Sequence, residues 1–385
     1  MKIKKSNFRC RRGSFEIRGR QYIPEGEKMP IIIVSHEFVM GSYTTRRYAR
    51  QFAEWGYAAF CYDFVGGTTL GGSGGRHTDM TVFTELEDLK SVLKYAKSLP
   101  QTDGSRVYLM GCSQGGLVSA LAAAELVEEI SGLILFYPAL CIPDDARAGN
   151  MIFNTRFDPQ NIPDTIKCGP FTFSGNYPAT VLDMDVFDAI SGYKGPVFIA
   201  HGTKDGIVNL SYSQKAQETY SMEKCVLMTI PNAKHVFAPV QDKPAVSGIK
   251  HFLNGRREIL TIDVKLTSIC PKLEGIRSRL DIKFTGRARS NFFEGRICPG
   301  ARDIQDRVGL KTDRLCAEYT LVGTDYTGAK CRIGIQNLNT GSGWKPTLKT
   351  DSEALSFLNE TECFAHVQQR GLRGPLVRIF AEADR

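Results

Sequence analysis

Six short apolar runs separated by helix-forming segments restrict this chain to very few architectures. Residues 30–36 (PIIIVSH), 57–64 (YAAFCYDF), 106–110 (RVYLM), 132–137 (GLILFY), 196–201 (PVFIAH) and 225–230 (CVLMTI) show almost no alternation of apolar and polar residues. A strand of that kind must be covered on both faces. The cover is supplied by predicted helices over 44–55, 80–99, 116–129, 210–220 and 244–253. Strands alternating with helices predict an α/β fold with a doubly wound, mostly parallel sheet. Residues 7–12 and 14–23 read as an antiparallel edge to it.

One strand-to-helix junction carries chemistry. Gly111-Cys112-Ser113-Gln114-Gly115 reads G-x-S-x-G, between the strand 106–110 and an Ala- and Leu-rich helix. In that context the pattern predicts a nucleophile elbow, a sharp turn that lifts a serine hydroxyl off the sheet. A serine needs a base to take its proton, and the base needs a carboxylate to orient it. Asp205, in HGTKDGIV, follows the strand 196–201. His235, in PNAKHVF, follows the strand 225–230. Both therefore lie at the carboxyl edge of the sheet with Ser113, where open α/β sheets collect ligands. His201, His251, His77 and His366 are rival bases; none follows the last sheet strand in a loop. Asp183, Asp185 and Asp188 are rival acids. The backbone N–H groups of Phe38 and Gln114 are the predicted oxyanion donors, with His36 shaping the Phe38 loop.

Residues 139–195 separate two sheet strands by far more than an ordinary connection. They predict a lid insertion over the site, with short helical pieces at most. Its aromatics Phe153, Phe157, Phe171, Phe173 and Tyr177 are candidate substrate-binding residues. The Gly-rich run after Asp63 lacks both phosphate-binding signatures and reads as a loop lining the cleft.

Past residue 256 the long helices stop. Residues 260–266, 279–284, 295–298, 314–322, 330–336 and 376–381 are predicted strands with Gly-rich turns between them, and only 352–358 reads as helix. The expected organisation is a domain over 1–255 and a mainly antiparallel β-barrel over 256–385. The formal net charge is +8, with eight Lys and Arg against one acid in the first 20 residues. No helix-turn-helix or aromatic-basic repeat accompanies it, so a solvated edge strand is favoured over a nucleic-acid arm. Eleven scattered cysteines without a C-x-x-C pair argue against zinc and against a disulfide framework. No apolar run reaches membrane-spanning length, and the basic N-terminus lacks the apolar core of a secretory signal. A cytoplasmic location is expected.

The motifs HEF, YDFVGG, GCSQGG, HGTKD and NAKHVF together resemble the α/β-hydrolase superfamily, and within it bacterial cinnamoyl and feruloyl esterases. The resemblance covers roughly residues 10–255. It implies ester hydrolysis through an acyl-enzyme, with Ser113, Asp205 and His235 as the matching triad and a medium-acyl or hydroxycinnamoyl ester as substrate. Relatives usually carry His-Gly where this chain has His36-Glu37, so Glu37 either sits at the site mouth as a substrate-selecting carboxylate or faces solvent. FFEGRICPGARDIQD and YTLVGTDYTGAKCRIGIQN resemble a family of small β-barrels of unknown function. A small-molecule ester is the expected partner, with no cofactor, metal, nucleic acid or membrane, and with homo-oligomerisation left open. Acyl transfer, thioester or peptide cleavage by the same triad, and ligand binding without turnover, are the alternatives.

Overall fold

The computed structural model describes residues 2–382 apart from 69–70, 222–223, 291, 309–310, 340–342 and 372–373. The chain divides into two compact units, Met1–Val246 and Ser247–Arg385. Among the described residues no helix is long and apolar enough to cross a membrane.

The first unit is built on one eight-stranded sheet. Its strands are β1 (Ile3–Arg12), β2 (Phe15–Pro24), β3 (Met29–Ser35), β4 (Ala58–Tyr62), β5 (Thr102–Cys112), β6 (Gly132–Phe136), β7 (Val197–Gly202) and β8 (Cys225–Ile230). Their spatial order is β1-β2-β4-β3-β5-β6-β7-β8. The last six run parallel, and the β1–β2 hairpin joins β4 antiparallel. Helices α1 (Ser42–Glu54), α2 (Val82–Lys97), α3 (Gln114–Glu125) and α4 (Leu210–Thr219) complete the frame, and α5 (Pro239–Leu253) begins in this unit and ends past Val246. Thr81 and Thr84 exchange side-chain and backbone hydrogen bonds at the start of α2, which stops the helix short of its apolar pattern. Helix α3 is buried from Gln114 to Ala123, as its uniformly apolar sequence requires.

Register sets the site. Ser35 pairs with Gly111, Cys112 with Phe136, and Phe136 with Ala200. The carboxyl ends of β3, β5, β6 and β7 are therefore level, and the loops after them converge.

The long segment between β6 and β7 is more ordered than its sequence suggests. Besides short helices at Ile142–Arg147, Asn176–Ala179 and Val186–Ile190 it contains two hairpins, Asn150–Met151 with Thr155–Arg156 and Thr165–Cys168 with Phe171–Ser174. These strands have two to four residues, too few to leave a periodic signal.

The second unit is an antiparallel barrel. Its strands are β9 (Arg256–Glu274), β10 (Arg277–Arg289), β11 (Phe293–Ile297), β12 (Arg302–Val308), β13 (Lys311–Asp325), β14 (Lys330–Asn339), β15 (Trp344–Thr350), β16 (Cys363–Gln368) and β17 (Leu376–Glu382). Strands β11 and β12 both bridge β10 and β13, so they share one position and the barrel closes with eight. Closure runs through β13-β14-β15-β16-β17-β9 and back to β10. Closing the sheet removes its edges. Residues 352–358, predicted helical, form only a short 3-10 turn at Ser356–Asn359. The Ser352 hydroxyl donates to Asp325 and accepts from the Leu355 N–H, an N-cap arrangement followed by no more than that single turn.

One buried ion pair anchors the N-terminal hairpin. Arg12 Nε donates to Asp88 Oδ1 at 2.5 Å, and the Val65 N–H donates to Oδ2 at 2.8 Å. The Asp88 side chain is fully buried. Burial pushes its carboxyl up to about 6, against the pull of Arg12. A carboxyl with a raised folded pKa is most costly above that pKa and is relieved as pH falls through it. Arg12→Ala is expected to lower stability by about 3–5 kcal/mol. The deficit in urea denaturation should be larger at about pH 8 than at about pH 5, where protonation neutralises Asp88.

Candidate active site

Ser113 stands between β5 and α3 with φ 53° and ψ −119°. That conformation is strained for a residue with a side chain. It is held by close packing on both sides. A Cβ on Gly111 would overlap the Gly115 carbonyl, and a Cβ on Gly115 would overlap the backbone of Ser35 and His36. The glycines of the motif thus let β5, α3 and the end of β3 approach to backbone contact.

The three residues singled out in the sequence meet here. Ser113 Oγ lies 2.8 Å from His235 Nε2, and His235 Nδ1 lies 2.8 Å from Asp205 Oδ2. The serine O–H then donates to Nε2, and the Nδ1–H donates to the carboxylate. Ser113 and His235 are buried. A Cβ on Gly202 would overlap the Ala233 carbonyl, so only glycine lets the loops bearing Asp205 and His235 come this close. Of the rival acids, Asp185 instead caps a helix by accepting from the Phe187 and Asp188 N–H groups.

Asp205 is more heavily bonded than its sequence context indicates. Its Oδ1 accepts from the Ile207 and Val208 N–H groups, each at 2.9 Å. Its Oδ2 also lies 3.1 Å from His201 Nε2. That nitrogen is 3.0 Å from the Val208 carbonyl as well, so it faces two acceptors and carries the proton. The Ser213 hydroxyl is 2.7 Å from His201 Nδ1. Burial pushes the Asp205 carboxyl up, but the hydrogen bonds from His201 and His235 outweigh it and hold the group well below the usual carboxylate range. His201 is thus a second imidazole on the same carboxylate.

The backbone N–H groups of Phe38 and Gln114 take part in no hydrogen bond among the described residues. Gln114 opens α3, where N–H groups have no intrahelical acceptor. His36 shapes the Phe38 loop. Its Nδ1–H donates to the Glu37 carbonyl at 2.6 Å and its Nε2 accepts from the Phe64 N–H at 3.1 Å. Burial lowers the pKa of the ring, which favours the neutral form these bonds require.

Glu37 neither opens onto the site as a free carboxylate nor faces solvent. It is buried, accepting from the Thr44 hydroxyl at 2.7 Å and the Tyr137 hydroxyl at 3.1 Å. Tyr137 in turn packs its ring on His235, with centroids 4.9 Å apart.

The aromatics of the inserted segment divide. Phe173 and Tyr177 belong to the packed core; Phe173 stacks on Phe38 at 5.0 Å and Tyr177 meets it tilted at 5.4 Å, which removes them from an open pocket wall. Phe171 is half-buried against His77 at 5.1 Å. Phe157 is half-buried and Phe153 is exposed. Sequence reasoning missed a buried relay through Gln114. Gln114 Nε2 donates to Glu85 Oε2 at 2.6 Å, and Tyr177 donates to Gln114 Oε1 at 2.6 Å. Glu85 lies on α2 among ordinary helical residues, so one sequence offers no signal for it.

Comparison with known proteins follows this geometry. The profile of the serine aminopeptidase S33 family matches residues 26–159. The protein Est1E of Butyrivibrio proteoclasticus, solved with ferulic acid bound, is 30% identical over 64% of this chain and 98% of its own, with a TM-score of 0.59. The chain belongs to the α/β-hydrolases. The Pyrococcus furiosus esterase Pf2001 shares the hydrolase fold at 21% identity, covering 66% of this chain and 92% of its own, with a TM-score of 0.50. An uncharacterised 31.7 kDa Escherichia coli protein is 31% identical over 118 residues, 30% of this hydrolase chain. That match spans only 40% of the E. coli protein's length.

Tyr177→Phe removes the donor to Gln114 and leaves a buried amide oxygen unpaired. It is expected to lower stability by about 1–3 kcal/mol in urea denaturation. An unchanged midpoint would mean the relay contributes nothing to the fold.

Proposed function

We propose that the chain is a serine esterase acting on apolar carboxylic esters through an acyl-enzyme, with Ser113 as nucleophile, His235 as base and Asp205 as its orienting acid. The observation that carries this reading is the unbroken chain from Ser113 Oγ through His235 to Asp205 at 2.8 Å per step. His235 takes the serine proton as Oγ attacks the ester carbonyl, then returns it to the departing alcohol. Asp205, held ionised, stabilises the imidazolium. The N–H groups of Phe38 and Gln114 receive the oxyanion. Water, deprotonated by His235, releases the acid and restores the serine.

The loops around the site favour an apolar acyl or aryl group. Met40, Tyr43, Phe153, Ile207 and Val236 are large apolar residues exposed to solvent. They follow β3, β6, β7 and β8, so all lie at the carboxyl edge of the sheet with Ser113. Phe153 and Phe157 come from the segment we read as the lid, and a hydroxycinnamoyl ester is the substrate class suggested by the ferulic acid bound to Est1E. Glu37, fully engaged with Thr44 and Tyr137, acts in this reading by supporting the Phe38 loop.

Release of p-nitrophenol from an acetyl-to-dodecanoyl ester series, alongside methyl ferulate hydrolysis, tests the proposal. Wild type is expected to turn over one of these classes, and Ser113→Ala to lose about 10^4-fold or more in kcat. Turnover within a few-fold of wild type in Ser113→Ala would reject the assignment. Asp205→Asn is expected to keep the fold and lower kcat by about 10^4, since the amide no longer fixes the His235 tautomer.

A further inference from the structure

The barrel carries polar groups facing its interior that no described residue satisfies. Asp303 on β12 pairs with Ile282 on β10 and with Ala317 on β13, and Ala317 pairs with Asn337 on β14. Paired residues project to the same face of a sheet. Ile282 lies two residues before Phe284, a member of the barrel core. Tyr319, two residues beyond Ala317, belongs to that core and meets Phe284 edge-on at 5.4 Å. Asp303, Ala317, Tyr319 and Asn337 therefore all face inward.

Among the described residues three of their atoms have no hydrogen-bond partner: the Tyr319 hydroxyl, Asn337 Oδ1 and Asp303 Oδ1. Tyr319 is 8% exposed and Asn337 2%. The other Asp303 oxygen accepts from Gln305 Nε2 at 2.9 Å. Buried polar atoms are almost always paired, so three orphans on neighbouring strands mark a place where a partner belongs.

The barrel is packed on one side of this group and accessible on the other. Leu321 and Ile333 are 0% exposed. In the opposite direction Ala317, Leu315, Gln305 and Leu280 are only half-buried, although they share the inward face. Trp344 pairs with Asn339, two residues from Asn337, so it faces inward on that side and is also half-buried. Ala317, with its single methyl, stands between Asp303 and Asn337 in the strand register. The inward face therefore has a floor of polar groups between a fully buried apolar side and a half-buried apolar and aromatic side.

We propose that the barrel interior binds a small, mainly apolar molecule bearing one or two hydroxyl groups, a phenol being the chemistry that fits best. Its hydroxyl donates to Asn337 Oδ1 or Asp303 Oδ1 and accepts from the Tyr319 hydroxyl. Its ring lies among Phe284, Leu315 and Trp344. This inference rests on the second unit alone and stands whether or not the first is an esterase.

The test is calorimetric titration of the full chain with 4-ethylphenol, 4-ethylcatechol and ethylbenzene, to the limit of their solubility. The chain has two tryptophans, so Trp55→Phe leaves Trp344 as a fluorescence reporter inside the barrel. Saturable binding of the hydroxylated compounds with quenching of Trp344 is expected. Affinity should fall about tenfold or more when the ligand lacks its hydroxyl or the protein carries Tyr319→Phe. Tyr319→Phe removes one oxygen that has no partner, so the melting temperature of the free protein should not fall. Asn337→Leu should weaken binding in parallel. Absence of saturable binding for both hydroxylated compounds overturns the proposal. Affinity unchanged in both variants also overturns it, because the ligand then sits elsewhere. A lower melting temperature in Tyr319→Phe without any binding assigns the floor to internal water and overturns it as well.

Discussion

The left-handed backbone at Ser113 is a conformation that a serine adopts only when its surroundings leave no alternative. Here those surroundings are two glycines. Gly111 and Gly115 let β5, α3 and the end of β3 touch through backbone atoms, and a methyl group on either would prise them apart. The contact keeps the hydroxyl pointing off the sheet and keeps the Gln114 N–H free at the start of α3. It also ties Ser113 to the Phe38 loop, because the atoms against Gly115 are those of Ser35 and His36. Strain at one residue and crowding at its neighbours are the same fact seen from two sides.

Buried polar bonds then hold the surrounding loops in register. Asp205 accepts from two backbone N–H groups and two imidazoles, so its loop is fixed before it serves His235. Glu37 joins the Phe38 loop to α1 through Thr44 and to the end of β6 through Tyr137. Glu85, Gln114 and Tyr177 join α2, the elbow and the inserted segment. Each bond contributes little by itself, but breaking one strands a buried partner at a cost of about 1–3 kcal/mol. With Phe173 and Tyr177 packed on Phe38, this part of the insertion belongs to the core beside Ser113.

Much of this was legible in the residues. The uninterrupted apolar runs gave the parallel sheet, since such runs have only one way to be buried. The elbow, Asp205 and His235 were found because each follows a strand in a loop at one edge. What escaped was long-range side-chain pairing. Glu85 left no trace, though it pairs with Gln114 from another helix, and the lid aromatics Phe173 and Tyr177 looked like pocket residues because apolar character does not tell a wall from a core. In the barrel, β12 (RDIQDRV) and β15 (WKPTLKT) are strands whose polar residues and proline hid their alternation. They form because closure supplies partners on both sides, a tertiary effect with no local signature.

The central claim is that Ser113 is the covalent nucleophile and that His235 activates it. Treating the full chain with a fluorophosphonate and mapping the adduct by peptide mass spectrometry tests both parts at once. The account predicts one stoichiometric adduct on Ser113, formed at least about 10^3-fold more slowly when His235 is replaced by alanine. An adduct on another serine, or labelling of Ser113 at an unchanged rate in His235→Ala, would contradict it.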